Sequence, residues 1–578
     1  MDTRYLEYWP KHLPRDIALP NVTIWENLDI TTRRYADRIA IKFFGNDISY
    51  RKLYDDVEAL AGWLQQEAGV KKGDRVLLYM QNSPQFVIGY YAILRADAVV
   101  IPVNPMNREE EFQHYISDTD ATVALCASEL AGFAKNASDK LPAKEQLQHI
   151  LVARYAEALP DKYPHPEDAP PPVMKPMLEA KAELPAGAVQ WQDALAAGHK
   201  PGPHTAKPGD LAVMPYTSGT TGFPKGCMHT HQTVMHTVIC GALANTTTAD
   251  AVSLSVLPLF HVTGMQYGMN APIYLGGTVV MLPRWDREVA GSYVSRYGVT
   301  HWTTIPTMII DLFGSPNIDA FDFSSLRYIG GGGAAMPEAV AKKVQDTFGL
   351  DFLEGYGLSE TIAPTHSNPM YRPKRQCLGL PTFGTDAAVI NPETLEEVPQ
   401  GETGEIIVRG PQVMLGYWRN EEATEKAFIE FEGKRFFRTG DLGKMDEEGY
   451  FFITDRLKRM INASGFKVWP AEVEALLYHH PDIQEACIIG SKDPYRGETV
   501  KAVVVLMEKA KGKVTEDDII AWSKEHMAAY KTPKIVEFVE ALPKSGSGKV
   551  MWRILQEEEY KRTDSVEHGA QVTQSESV

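Results

Sequence analysis

The sequence predicts an α/β protein in which a large N-terminal domain of layered sheets, with a β-rich part, is followed by a small C-terminal α/β domain. Three observations lead there. Short apolar runs of strand length alternate with helical patterns, which favours layers built on a mainly parallel sheet. The chain has 578 residues, too many for one core. A charged stretch, Arg456-Leu457-Lys458-Arg459, parts a long first section from a shorter second one.

Residues 26–70 read as helices around a short strand, Arg38 to Phe43, with a turn at Gly45-Asn46-Asp47. Arg75 to Met80, Ala98 to Val103 and Ala121 to Cys126 are compact apolar runs suited to buried strands, and Pro84 to Leu94 is a helical pattern. Residues 155–207 break the rhythm with Pro160, Pro164, Pro166, Pro170, Pro171, Pro172 and Pro176, then an Ala-rich stretch. They read as a surface excursion or insertion, partly ordered. The α/β and β-rich patterns resume from Asp210 to about Thr454, with Gly404 to Gly410 a strand between turns. The smaller α/β unit ends near Glu559, and the polar tail from Lys561 to Val578 reads as disordered.

Composition narrows the function classes. A hydrophobic content of 44% and a charged content of 23% suit an ordinary globular protein. A net charge of −17 argues against a general nucleic-acid role. The five cysteines are odd in number and form no CxxC, so neither a disulfide framework nor a zinc knuckle is expected, and a reducing, cytoplasmic compartment is. The N-terminus lacks an apolar signal core, and no apolar run has transmembrane length.

Tyr216-Thr217-Ser218-Gly219-Thr220-Thr221-Gly222-Phe223-Pro224-Lys225-Gly226 is the most informative segment. Its glycines let backbone N–H groups turn toward an anion, its hydroxyls add donors, and Lys225 adds a mobile positive charge. It reads as a loop that cradles a polyphosphate. It is not a Walker A loop, because Pro224 stands where that pattern requires glycine. Cys227, His229, His231 and His236 follow, with a spacing that fits no standard metal site; they read as a helix start behind the loop.

Further motifs come in a telling order: Leu257-Pro258-Leu259-Phe260-His261; four glycines, Gly330 to Gly333, then Ala334; Gly355-Tyr356-Gly357-Leu358-Ser359-Glu360-Thr361; Arg438-Thr439-Gly440-Asp441; Asp455 to Glu474; and Leu542 to Lys549. Together with the loop they resemble the acyl-adenylate-forming (AMP-binding) enzymes, in the acyl-CoA synthetase branch, over about residues 25 to 560. The resemblance implies an adenylation domain through residue 454, a hinge at 455–458 centred on Lys458, and a mobile C-terminal domain at 459–560.

It also implies roles. Thr217, Ser218, Gly219, Thr220, Thr221, Gly222 and Lys225 bind the ATP phosphates. Gly332, Gly333, Ala334, Tyr356 and Gly357 contact adenine, and Ser359 contacts phosphate. Glu360, with Thr217, binds Mg²⁺, a cation that prefers hard oxygen ligands. Asp441 and Arg456 hold the ribose. His261, Gly264, Met265 and Gly331 border the acyl group. Ser464, Gly465 and Phe466 line the path of CoA. Lys549 is the adenylation lysine, so Lys549, Glu360 and Lys225 are the catalytic set.

The implied reaction is ATP-dependent acyl-CoA ligation. A carboxylate is activated as acyl-AMP with release of pyrophosphate, and CoA then takes the acyl group and releases AMP. Glycines at 330–333 and the small, apolar stretch after His261 suggest a roomy pocket for a medium- or long-chain fatty acid. Aryl, alicyclic or sulfur-containing acids are the alternative. A luciferase-like monooxygenase and a noncatalytic nucleotide-binding protein are the other classes that the fold serves. The resemblance allows a homodimer, and a greasy substrate allows peripheral membrane contact.

Overall fold

The computed structural model describes residues 4–180, 183–217, 224–333, 335–456, 459, 461–463, 466–468, 470–493, 497–545 and 548–575. The chain divides into two compact units. Leu6–Asp386 and Val408–Phe437 make the larger; Ala387–Ile407 and Arg438 onward, with the N-terminal residues to Tyr5, make the smaller.

Two sheets organise the larger unit. The first runs in the order Val189–Gln190, His149–Ala153, Val123–Ala127, Arg75–Tyr79, Val99–Pro102, Leu211–Val213 and His229–Thr230. Its pairs are parallel except the last. Val123–Ala127 and Val99–Pro102 are buried at every position, as parallel strands covered on both faces must be. The helix Pro84–Arg95 is buried from Pro84 through Leu94; Ser83 caps it by accepting the Phe86 N–H, and proline opens it.

The second sheet has nine strands, in the order Leu380–Pro381, Ala363–Ser367, Leu353–Leu358, Tyr328–Gly331, His301–Thr304, Val252–Ser255, Thr278–Met281, Ile39–Phe43 and Asn46–Ser49. Its middle is parallel, from Leu353–Leu358 to Ile39–Phe43. Tyr328–Gly331 and Leu353–Leu358 lie side by side, with Gly331 opposite Glu354. The glycine-rich and Tyr356 motifs are therefore neighbours although 21 residues separate their strands in the chain.

The expected strands at Arg38, Arg75, Ala98 and Ala121 and the helix at Pro84 form where the apolar pattern places them. Three differences stand out. Asn46 and Asp47 are not turn residues: Asn46–Ser49 is a strand, and the turn is Phe44-Gly45, with φ of 46° and 80°. Two positive φ values in a two-residue loop match the twist of the hairpin they join.

The proline-rich stretch does not simply cross the surface. Val189–Gln190 is an edge strand of the first sheet, and Leu178 and Trp191 are buried in the main core. Asp168, also buried, accepts hydrogen bonds from Arg296 Nη2 at 2.9 Å and Tyr297 Oη at 2.7 Å. The tail differs as well: the last helix, Trp552–Ser575, runs through positions expected to be disordered. Its sequence is polar but rich in Glu, Gln, Lys and Arg, which favour helix without needing a buried face.

The smaller unit contains a sheet ordered Phe466–Val468, Ile461–Ala463, Gly497–Leu506 and Ile483–Asp493, with Ile535–Phe538 parallel to Gly497–Leu506. Lys501 is buried there, 2.7 Å from Glu559 and 2.5 Å from Glu537, which anchors the last helix to the sheet. All five cysteines are buried free thiols. Among the described residues, no helix is long and apolar enough to cross a membrane.

If the proline-rich stretch is structural, Asp168→Ala strands a partly buried arginine and a phenol. It is expected to lower stability by about 3–5 kcal/mol, read from urea unfolding; a change under about 0.5 kcal/mol, the usual effect at an uninvolved surface site, would return the segment to surface status.

Candidate active site

The phosphate-loop motif opens and closes on paired backbone. Tyr216 bridges Gly226, Thr217 N–H donates to Lys225 O at 2.9 Å, and Cys227 N–H donates to Pro215 O at 2.8 Å. The Thr217 hydroxyl accepts the Lys225 N–H at 3.4 Å. Thr217 and Lys225 thus face each other across the stem. Ser218, Gly219, Thr220, Thr221 and Gly222 lie outside the described residues.

A third segment completes the stem. Trp418 N–H donates to Gly226 O at 2.8 Å, Met228 N–H to Gly416 O at 3.0 Å, and Leu415 N–H to Met228 O at 3.0 Å. Tyr417 then touches two predicted site residues. Lys225 Nζ sits 4.4 Å from its ring centroid, and its hydroxyl donates to Glu360 Oε1 at 2.8 Å. Burial first, and the Glu360 charge second, push the Tyr417 phenol well above its ordinary pKa, so it stays protonated and a donor.

Glu360 lies in a single 3-10 turn, Ser359–Thr361, after the strand that carries Tyr356. Its carbonyl accepts Met414 N–H at 2.8 Å. His229 Nε2 meets Ser359 O at 2.8 Å, and burial lowers the His229 pKa to about 4. The ring is neutral at pH 7 and carries its proton on Nε2 to make that bond. Ile362 and Ala363, both non-glycine, follow at φ of 45° and 94°. Such backbone is costly and persists where neighbours fix it, here beside Glu360.

The histidines behind the loop have partners that explain them. His231 Nδ1 accepts Ile24 N–H at 3.2 Å, and His236 Nε2 meets Phe383 O at 3.0 Å. Among the described residues, no group of three or more His, Cys, Asp or Glu is gathered for a metal.

The glycine-rich motif is dictated by packing. A Cβ on Gly331 would lie 1.8 Å from Thr304 O, and one on Gly332 would lie 2.2 Å from Gly355 O. Gly333 has φ of 92° and is exposed; Ala334 lies outside the described residues. Tyr356 is buried, its ring 5.8 Å from that of His366, and a Cβ on Gly357 would meet Ala363 O at 2.1 Å.

His261 caps the short helix Val262–Met265, its Nδ1 accepting Thr263 N–H at 3.3 Å. A Cβ on Gly264 would meet Pro258 O at 2.2 Å, so this turn packs directly under the Leu257-Pro258 segment. Met265 and Met269 are fully buried, and Gln266–Asn270 forms a π-turn. The space that Gly264, Gly268, Leu257 and Thr303 border is packed too tightly to admit a water molecule, in contrast to the roomy pocket expected.

In the smaller unit, Asp441 is buried on the strand Lys434–Met445, directly opposite Arg456 on Phe451–Arg456. Glu405 clamps the turn before it, accepting Arg438 Nε at 2.9 Å and Gly440 N–H at 3.1 Å. Lys549 is exposed on a loop closed by a Lys544–Val550 bridge and by Ser545 N–H donating to Lys549 O at 2.8 Å. Phe466 opens the strand Phe466–Val468, its backbone opposite Ala463; Lys458, Ser464 and Gly465 lie outside the described residues.

The sequence matches the AMP-binding enzyme family over residues 28–418 and the AMP-binding enzyme C-terminal domain over residues 472–549. The chain belongs to the AMP-binding enzyme family. It is 36% identical over 566 residues to a long-chain-fatty-acid–CoA ligase of Bacillus subtilis (strain 168), covering 96% of this chain and 98% of that protein. A feruloyl-CoA synthase of an Amycolatopsis species is 32% identical over 515 residues, covering 89% of this chain and 94% of that protein.

Two solved structures share the fold. ATP-bound MatB from Rhodopseudomonas palustris superposes with a TM-score of 0.79 at 28% identity, over 93% of this chain and 99% of its own. The anthranilate CoA ligase AuaEII in complex with anthranoyl-AMP gives 0.82 at 24% identity, over 95% and 99%. The enzyme class that the motif order implies, an AMP-forming acid–thiol ligase using ATP and CoA, is the class to which this chain belongs.

Motif reading missed four residues that hold these groups: His229 as a prop, Glu354, Glu405 and Tyr417. Of these, Glu354 follows the glycine-rich strand's register. It accepts Met336 N–H at 2.9 Å and Cys377 N–H at 3.2 Å, and burial raises its pKa to about 7. Burial penalises the ionised form while the N–H bonds favour it, and burial wins; the cost to stability is absent below about pH 4.5 and grows as pH rises to about 7. The stability of Glu354→Gln relative to the native chain is therefore expected to rise by roughly 3 kcal/mol between pH 5 and pH 8. Urea unfolding of both proteins at each pH checks it, since other groups cancel in the difference.

Proposed function

We propose that the chain joins a medium- or long-chain fatty acid to CoA. The observation that carries this reading is the match of nearly its whole length to a long-chain-fatty-acid–CoA ligase at 36% identity. In the first half-reaction, the carboxylate oxygen attacks the α-phosphorus of ATP. A P–O bond to pyrophosphate breaks, and acyl-AMP forms. In the second, the CoA thiol, losing its proton, attacks the acyl carbonyl; the C–O bond to AMP breaks and the thioester remains.

Thr217, the loop between it and Lys225, and Lys225 itself hold the phosphates in this reading. Tyr356, Gly357, Gly332, Gly333 and Ala334 contact adenine, Gly331 borders the acyl group, and Asp441 with Arg456 holds the ribose. His261, with its Nδ1 engaged by Thr263 N–H, orients the acid rather than moving its proton. Glu360 and Thr217 offer the hard oxygens that Mg²⁺ prefers. When bound, Mg²⁺ neutralises charge on the phosphates. Lys549, on its stapled loop, stabilises the charge that shifts toward the α-phosphate. The C-terminal domain, residues 459–560, turns about Lys458 between the half-reactions so that the region of Ser464, Gly465 and Phe466 serves CoA. Five buried thiols suit a reducing, cytoplasmic setting.

The 32% identity to a feruloyl-CoA synthase over 89% of the chain favours a second reading, a flat aryl acid. CoA-dependent AMP release across short to long fatty acids, benzoates and cinnamates decides between them. Activity that peaks on fatty acids of eight or more carbons is expected; turnover of aryl acids alone would replace the first reading with the second. In the same assay, Lys549→Ala is expected to slow adenylation about 10²–10³-fold while leaving thioester formation from supplied acyl-AMP near the native rate.

A further inference from the structure

Tyr417 meets both of the charged groups that the larger unit contributes to the site. Its ring faces the Lys225 ammonium at 4.4 Å, and its hydroxyl donates to Glu360 Oε1 at 2.8 Å. Lys225 and Glu360 come from separate motifs, and Tyr417 belongs to neither. It is itself rigidly placed: Cys227 bridges it, and its N–H donates to Thr424 Oγ1 at 2.9 Å. Met414, three residues earlier, holds the Glu360 carbonyl. One short segment therefore fixes Glu360 at both its backbone and its carboxylate.

The chemistry of a phenol suits this place. An aromatic face attracts an ammonium without neutralising it, so Lys225 stays available to phosphate. A neutral O–H donor fixes one carboxylate oxygen without adding a full positive charge that would repel a metal ion. A lysine or arginine in its place would do the second badly.

We propose that Tyr417 is a positioning residue, which orients the Glu360 carboxylate for the divalent cation and the Lys225 ammonium for the phosphates. This rests on the reading of Glu360 and Lys225 given above.

The test uses the full chain with ATP and Mn²⁺, whose binding is read by electron paramagnetic resonance, beside the Mg²⁺ dependence of pyrophosphate release. Tyr417→Phe keeps the ring and removes the donor. It is expected to weaken Mn²⁺ binding to the enzyme–ATP complex roughly tenfold, as loss of a partner to a metal ligand does, and to raise the Mg²⁺ needed for half-maximal rate in step. ATP binding without metal is expected to hold. Tyr417→Leu removes the ring too and is expected to weaken metal-free ATP binding several-fold as well.

Glu360→Gln supplies the control. If Tyr417 acts through Glu360, Tyr417→Phe has no further effect on Mn²⁺ affinity in that background. A Tyr417→Phe protein that is less stable to urea but unchanged in metal affinity and Mg²⁺ requirement would overturn the proposal and leave a packing role. Equal losses with and without Glu360 would overturn it too. Absence of metal-dependent pyrophosphate release in the native chain would instead overturn the functional reading beneath it.

Discussion

A narrow ribbon of backbone hydrogen bonds sets the geometry of the larger unit's site. Residues 225–228 form its middle ply, with Pro215 to Thr217 on one side and Leu415 to Trp418 on the other. Thr217 and Lys225, at one end of this ribbon, flank the glycine-rich segment read as a phosphate loop. A glycine-rich loop has little conformational preference of its own, so its aim must come from its stem. Each ply also carries a candidate site residue: Thr217 on the first, Lys225 on the second, Tyr417 on the third. Shifting any ply by one residue would turn its side chain to the opposite face, and the contacts among Lys225, Tyr417 and Glu360 would be lost together.

The ribbon ends where the Glu360 turn begins. His229 and Met414 hold its backbone, and Tyr417 holds its carboxylate. Strain at Ile362 and Ala363 is then tolerated because the turn is fixed on several sides. The same logic recurs in the smaller unit, where Glu405 fixes the Thr439-Gly440 turn ahead of Asp441. A carboxylate that must meet a metal or a ribose works best when its own backbone cannot wander, because reorganisation at the moment of reaction costs rate.

Local pattern made much of this visible before any coordinates. Apolar runs marked Arg75–Tyr79, Val99–Pro102 and Val123–Ala127 because each is buried on both faces and contains almost nothing polar. The Thr217–Lys225 segment, the Glu360 motif and Asp441 stand out in the sequence because each gathers glycine with polar or charged groups into a few adjacent residues. Tyr417, Glu354 and Glu405 were not, because their partners lie far away in sequence and no spacing rule links them. Proline content misled at 160–176: proline forbids regular ladders but not burial, and Asp168 and Leu178 sit inside. The tail misled for the opposite reason, since low hydrophobicity removes a core but not helix propensity.

Glycine was also read too simply around the acyl group. Gly331 and Gly264 look like room left for a substrate, yet each has a carbonyl oxygen where a Cβ would stand, Thr304 O at 1.8 Å and Pro258 O at 2.2 Å. Backbone packing demands these glycines whichever acid the enzyme takes, so they carry no information about chain length. What varies the space must be the side chains that can repack around it. Met265 and Met269 adjoin the lining glycines Gly264 and Gly268 in sequence, and both are fully buried, unbranched and able to change rotamer at little cost. If the acid binds beside these glycines, substitutions around the π-turn at Gln266–Asn270 are expected to shift acyl selectivity more than adenylation itself.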